Sequence, residues 1–324
     1  MIYYLFPKTS INITNTCCTF GRNHIASKNS YSLNYYLKQI ESHTRKINDW
    51  DKVCYSSNPY RLLVVGHDDK SVLNMYEILE LYHLMKFSWE GANKLNTLHF
   101  NKYTLAAIEH IRKKNKNDTH FFIDDIISST ADIFTENINI SIDIAFCEAA
   151  STDEYTNNVE LLRQLCLTVC VLKKKGTLIV KYGDSFSCLS LDIVTMLSHL
   201  FEKTFFIKPS ICNVTSCEKY LVCKGFVFDS TNNNNTILRS VFSELYMSII
   251  NCPSDHIIQR ILQTDIPLFV CGKLEEVNSI MGQPRLEKIQ SILTNIEHNP
   301  MSSVFNIDSD TQKCKEWCDK HNVR

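Results

Sequence analysis

Apolar residues recur along this chain in two alternating rhythms. From Tyr31 to Ile47, Leu33, Tyr36, Leu37 and Ile40 fall at i, i+3, i+4 and i+7, the spacing of one buried helix face. RLLVVG ending at Gly66 is a short continuous apolar run that predicts a strand, and Val72, Met75, Ile78 and Leu79 after it predict a helix. KLNTLHF predicts a second strand and YTLAAIEHIRKK a helix. THFFIDDI predicts a third strand, SSTADIFTEN a short helix, and Ile142 to Cys147 a fourth strand. NNVELLRQLCLTVCVL then predicts a helix, a tight KKKG turn leads into the strand TLIVKYG, and SLDIVTMLSHLFEK predicts a further helix. FFIKPS and KYLVCKGFVF finish the series as a hairpin-like pair.

Strands alternating with helices at this spacing indicate a mostly parallel, seven-stranded sheet covered on both faces, an α/β sandwich of Rossmann-like type. Ligands of such sheets bind beyond the carboxyl ends of the strands. Those ends carry Gly66, Asp124 or Asp125, Glu148 and Lys181. Residues 1–30 show no clear period. The polar run STNNNNT marks a boundary near residue 230, so the expected organisation is an N-terminal segment (1–30), an α/β domain (31–230) and a mainly helical extension (231–324). In the extension, ILRSVFSELYMSII, HIIQRILQ and RLEKIQSILTNI are expected as helices and IPLFVCG as a short strand. It holds no catalytic constellation, which leaves packing or a protein partner as its role.

Composition narrows the function classes. With 324 residues, 44% hydrophobic, 21% charged and a net charge of −1, the chain is expected to be globular and to exert no global pull on nucleic acid, so an RNA site has to be a local patch. No run of 18 apolar residues exists and MIYYLFPKTS lacks the features of a signal peptide, so a cytoplasmic protein without membrane contact is expected. Fourteen cysteines scattered through core-like segments suit reduced, buried thiols. Cys314, Cys318 and His321 lack a second ligand pair at metal spacing, and no metal is expected. The turn GHDDKS after Gly66 carries a single glycine, so a nicotinamide cofactor held by GxGxxG is disfavoured.

The order of an acid ending the fourth strand, a Leu-rich helix, GTLIVKYG, and then FEKTFFIKPS leading to SCEKYLVCKGF resembles the FtsJ-like (RrmJ-like) ribose 2′-O-methyltransferases, some of them encoded by viruses. The resemblance runs from Tyr31 to Phe226 and is strongest from Asp143 onward. It implies S-adenosylmethionine as cofactor, RNA (rRNA or capped mRNA) as substrate, and a lysine, aspartate, lysine, glutamate tetrad. The second lysine falls on Lys181, as general base, and the glutamate on Glu218. The first lysine falls on Lys38 in NYYLKQIE, with Lys46 as the alternative. The aspartate position falls on Glu148, longer by one methylene. The cofactor loop falls on Gly66, His67, Asp68 and Ser71, with Asp124 and Asp125 at the next strand end. Lys38, Arg45, Lys46, Lys208 and Lys219 are the cations expected to flank the cleft and meet phosphates. Because GHDDKS lacks the expected glycines, a catalytically degenerate fold kept for RNA or protein binding stands as the alternative to an active enzyme.

Overall fold

The computed structural model describes residues 1–23, 29–66, 70–81, 94–112, 115–123, 134, 140–151, 153–228, 233–298 and 307–321. His67, Asp68, Asp124 and Asp125, four of the expected cofactor residues, lie outside them, as does most of the helix expected at SSTADIFTEN.

Nine strands are formed by the described residues: β1 (Ile2–Phe6), β2 (Thr16–Gly21), β3 (Asn96–His99), β4 (Thr119–Phe122), β5 (Ile142–Glu148), β6 (Leu172–Tyr182), β7 (Phe201–Lys208), β8 (Lys219–Phe226) and β9 (Ile257–Leu262). Seven build the main sheet in the order β1-β7-β8-β6-β5-β3-β4, and β2 pairs with β9 apart from it. β4, β3, β5 and β6 run parallel, β8 runs against β6 and β7, and β1 closes the edge antiparallel to β7. The fold is therefore α/β, as the alternating pattern implies, with a mixed sheet in which three pairings are parallel and three antiparallel.

The helices are α1 (Tyr31–Thr44), α2 (Trp50–Ser56), α3 (Arg61–Gly66), α4 (Lys70–Leu81), α5 (Tyr103–Ile111), α6 (Glu154–Val171), α7 (Cys188–Leu200), α8 (Asn233–Ile250), α9 (Leu268–His298) and α10 (Ile307–His321). They cover both faces of the sheet. One core layer joins Leu178, Val180, Leu221 and Cys223 to α6, α7, α8 and α9, and the other joins Ile144, Phe146, Ile179 and Val222 to α3, α4, α5 and α10. Period-2 alternation divides each strand between these two layers.

Three expected elements are corrected. RLLVVG is the helix α3, not a strand. A six-residue apolar run has no period of its own, and here Asn58 accepts from the amide of Tyr60 while Leu63 N–H bonds to the Tyr60 carbonyl, which starts a helical turn behind Pro59. IPLFVCG is the start of α9, where the carbonyl of Pro267 receives the amides of Val270 and Cys271. HIIQRILQ is strand β9, held by the buried carboxylate of Asp192, which accepts from Arg260 Nε and from the amides of Ile261 and Leu262. Residues 2–6, for which no element is predicted, form the edge strand β1.

All fourteen cysteines are free thiols and eight of them are buried. Among the described residues no helix is long and apolar enough to cross a membrane, and no group of three or more His, Cys, Asp or Glu side chains is placed to hold a metal ion.

Candidate active site

Strand register assembles the site. Glu148 ends β5 directly beside Lys181 of β6, and Lys181 in turn faces Tyr220 of β8. Cross-strand partners share a face of the sheet, and so do residues two apart on one strand. Glu148, Lys181, Tyr220 and Glu218 therefore converge on the face whose core continues through Phe146, Ile179 and Val222. Helix α4 covers this edge, and its residues Lys70 and Asn74, one turn apart, reach down to it.

The contacts form a chain of alternating charge. The Lys181 ammonium donates to Glu148 Oε1 and Lys70 Nζ lies 3.7 Å from Glu218 Oε2. Glu218 Oε1 accepts from the Tyr220 hydroxyl at 2.8 Å and from Asn74 Nδ2 at 3.0 Å. Glu148 is fixed at its backbone, where its amide donates to Gln164 Oε1 and its carbonyl accepts from Gln164 Nε2, both at 2.8 Å. Its second carboxylate oxygen accepts from Asn101 Nδ2. The carbonyl oxygen of buried Asn74 has no partner among the described residues.

These contacts set the protonation states. Burial is the largest influence on Lys181 and works against its charge, but Glu218 and then Glu148 outweigh it and hold the ammonium above the ordinary lysine range. Burial likewise opposes the charge of Glu218, and Lys70, Lys181 and the Tyr220 hydroxyl together hold its carboxyl below the ordinary glutamate range. Burial, with Glu218 beside it, pushes the Tyr220 phenol well up, so Tyr220 is a neutral donor.

Of the four residues expected to act together, three meet. Lys38 is exposed on α1 and makes no contact with the cluster among the described residues. Lys70 stands at Glu218 instead. Its signal in the sequence is a lysine opening the helix after GHDD, a position read there only as part of the turn. Asn74, Tyr220, Asn101 and Gln164 carry no motif and are visible only once register and helix packing are known.

Gly66 ends the helix α3, and the turn that follows β3 at the carboxyl edge of the parallel sheet is 100–102. Ser71 remains close: with Met75, Thr104, Phe146, Ile179 and Tyr220 it lines a cleft beside Glu148 and Lys181. The turn Phe100-Asn101-Lys102 has no glycine. Asn101 Oδ1 accepts from the amides of Tyr103 at 3.1 Å and Thr104 at 3.4 Å, capping the first turn of α5, while its Nδ2 is held by Glu148. The cleft behind it measures about 10 Å³, room for one water at most. Among the described residues, Asn101 takes up the amides of Tyr103 and Thr104 and bridges to Glu148, and the cleft in this closed arrangement does not fit S-adenosylmethionine.

The FtsJ-like methyltransferase family model matches residues 94–226, which begin just before β3 and end with β8. Two curated relatives, each described as cap-specific mRNA (nucleoside-2′-O-)-methyltransferase 1, are similar over short segments. The one from Trypanosoma cruzi (strain CL Brener) is 33% identical over 67 residues, 21% of this chain and 18% of that protein. The one from Trypanosoma brucei brucei (strain 927/4 GUTat10.1) is 36% identical over 59 residues, 18% of this chain and 16% of that protein. The similarity thus spans less than a fifth of either relative. A solved S-adenosylmethionine-dependent methyltransferase from Clostridium acetobutylicum ATCC 824 aligns over 57% of this chain and 83% of its own at 11% identity, with a TM-score of 0.21, too low to bear on fold or function.

Proposed function

We propose that the chain, whose residues 94–226 match the FtsJ-like methyltransferase family model, is an RNA ribose 2′-O-methyltransferase with its methyl-donor seat closed by Asn101. The observation that carries this reading is the array Lys70, Glu218, Lys181 and Glu148 on one face of the sheet edge. The names of the two trypanosomal relatives support a capped mRNA as the RNA.

The chemistry follows from the charges. A ribose 2′-hydroxyl entering the cluster meets Glu148 and Glu218, which orient it, and Lys181, which takes its proton once it is itself neutral. Glu148 and Glu218 keep Lys181 protonated at rest, so Lys181 acts as base only after giving up that proton. Lys70, on the far oxygen of Glu218, divides that carboxylate's attraction and favours the release. S-adenosylmethionine, when bound, supplies an electrophilic methyl group. For that the Asn101 to Glu148 link has to open.

A second reading is favoured by the same turn: a degenerate methyltransferase fold that binds RNA without transferring a methyl group. Calorimetric titration with S-adenosylmethionine separates the two. The parent is expected to bind weakly and Asn101→Ala at least tenfold more tightly, despite losing about 1 kcal/mol of helix capping. Lys181→Ala, in the Asn101→Ala background, is expected to abolish transfer to capped RNA. If neither folded protein binds the donor, the enzyme reading fails and the degenerate one stands.

A further inference from the structure

On the opposite face of the sheet from the cluster, the first residues of β8 wall a second pocket. Successive strand residues point to opposite faces, so Lys219 turns away from Glu218 and joins Leu221 and Cys223 on the side covered by α9. Three cations line this pocket: Lys208, Lys219 and Arg285, only 6%, 5% and 9% exposed. Arg285 comes from α9, outside the segment matched by the family model.

The negative charge facing them is short of what they need. Arg285 Nη1 bonds Asp184 at 2.9 and 3.2 Å, and its Nη2 bonds Glu41 at 2.7 Å. The two lysines have no carboxylate partner among the described residues. Lys208 donates to the carbonyls of Ser216 at 2.6 Å and Glu218 at 3.2 Å, and Lys219 donates to the carbonyl of Gly183. An ammonium has three donors, so Lys208 keeps one outside these bonds and Lys219, which also lies over the Tyr182 ring at 5.6 Å, keeps two without an oxygen acceptor. Burial, the largest influence on both, pulls each below the ordinary lysine range, the mark of ammonium groups lacking a counter-ion. The pocket they line encloses about 20 Å³, enough for one oxygen atom, and Asp184, Ser216 and Cys217, each partly exposed, line it as well.

We infer that Lys208, Lys219 and Arg285 form a phosphate seat, which takes one non-bridging oxygen of an RNA backbone phosphate at its mouth and anchors the strand whose ribose enters the Lys181 cluster. The seat rests on the RNA reading above for the carrier of the phosphate. Its own chemistry is that of a built anion site, with unspent N–H donors and excess positive charge in a low-dielectric wall. Contacts of this kind fix register and carry no sequence information. Asp184 is the built-in competitor, since it holds the Arg285 donors that a phosphate would take.

The test uses the full chain, a short 5′-hydroxyl oligoribonucleotide and the same oligomer with a 5′-triphosphate, followed by fluorescence anisotropy across a salt series. Arg285→Gln is expected to weaken binding of both oligomers about tenfold and to lower the salt slope by about 0.7, the loss of one neutralised phosphate on a single strand. Asp184→Asn is expected to tighten binding severalfold, a change opposite in sign to any general loss of folding. Weakening confined to the triphosphate form would overturn the backbone assignment in favour of a 5′-end seat. Unchanged affinity in both variants would overturn the seat altogether. Inorganic phosphate provides the independent arm: it is expected to raise the parent's melting temperature and not that of Arg285→Gln. If phosphate acts so and no oligomer binds, the RNA reading and the strand anchor fall together while the anion site stands. If neither acts, the seat falls too.

Discussion

Glu218 is the residue on which the charge of the cluster turns, because it meets Lys70, Asn74 and Tyr220 at once and its charge also acts on Lys181. Its carboxyl is depressed below the ordinary value of 4.5, so the stability it contributes is present above that value and is lost as pH falls through its lower folded-state value. Lys181 has the opposite sign: its ammonium is raised above 10.5, so its contribution is present below that value and is lost only as pH rises beyond it. The pair therefore stabilises the fold across the neutral range and fails first in acid. Glu218→Gln leaves two partly buried lysines short of a counter-ion and is expected to cost ~3 kcal/mol at pH 7, at the low end for breaking a buried pair. The difference from the parent is expected to shrink as pH falls through the folded-state value of Glu218, below the ordinary glutamate range, where the parent's carboxyl is itself protonated. Denaturant titrations across an acid pH series measure this, and an undiminished gap in acid would mean that packing, not charge, sets the cost.

Elements were legible in the sequence wherever the hydrophobic period was long. The helices α4, α5, α6 and α7 and the strands β3, β5 and β8 follow the pattern within a few residues, and so do Glu148, Lys181 and Glu218, which sit at strand ends in a recognisable motif. Short apolar segments were not legible. RLLVVG, IPLFVCG and HIIQRILQ each span one or two turns at most, and their states are set by turn contacts at their ends and by partners far along the chain. Arg61 pairs with Asp310, and β9 is positioned by Asp192 of α7. Lys70 was hidden for the same reason, because its link to Glu218 depends on how α4 lies across the sheet. Asp192 illustrates how strong such a distant partner is. It satisfies a guanidinium and two buried amides, so Asp192→Ala is expected to cost about 3–5 kcal/mol. Amide exchange should locate the loss: faster exchange confined to β2 and β9 is expected, and uniform acceleration over all strands would show that β9 is not a separate unit.

At the scale of the whole molecule, helices α8, α9 and α10 are bound into the sheet's helical layers. Helix α8 contributes Leu238, Phe242 and Leu245 to one core layer, and α10 contributes Cys314 and Trp317 to the other. α10 lies behind the cluster: His321 Nδ1 meets Glu80 Oε2, and Trp317 Nε1 donates to Glu77 Oε2 at 3.4 Å. Glu77 in turn accepts from the amide and hydroxyl of Ser210, in the turn between β7 and β8. Helix α4 is thus held from behind by α10 and from the side by that turn, and on the same helix Lys70 and Asn74 contact Glu218. A change on α10 should therefore reach the cluster without touching it. Trp317→Ala removes a 4%-exposed indole and is expected to cost about 3–5 kcal/mol. Because α4 then loses its backing, Lys70 should withdraw from Glu218 and the Glu218 carboxyl should titrate closer to the ordinary glutamate range. Carboxyl-carbon NMR across a pH series reads that shift directly, in protein shown to be folded at each point. A destabilised variant with an unmoved Glu218 would separate α10 from the site and leave it a purely structural cover.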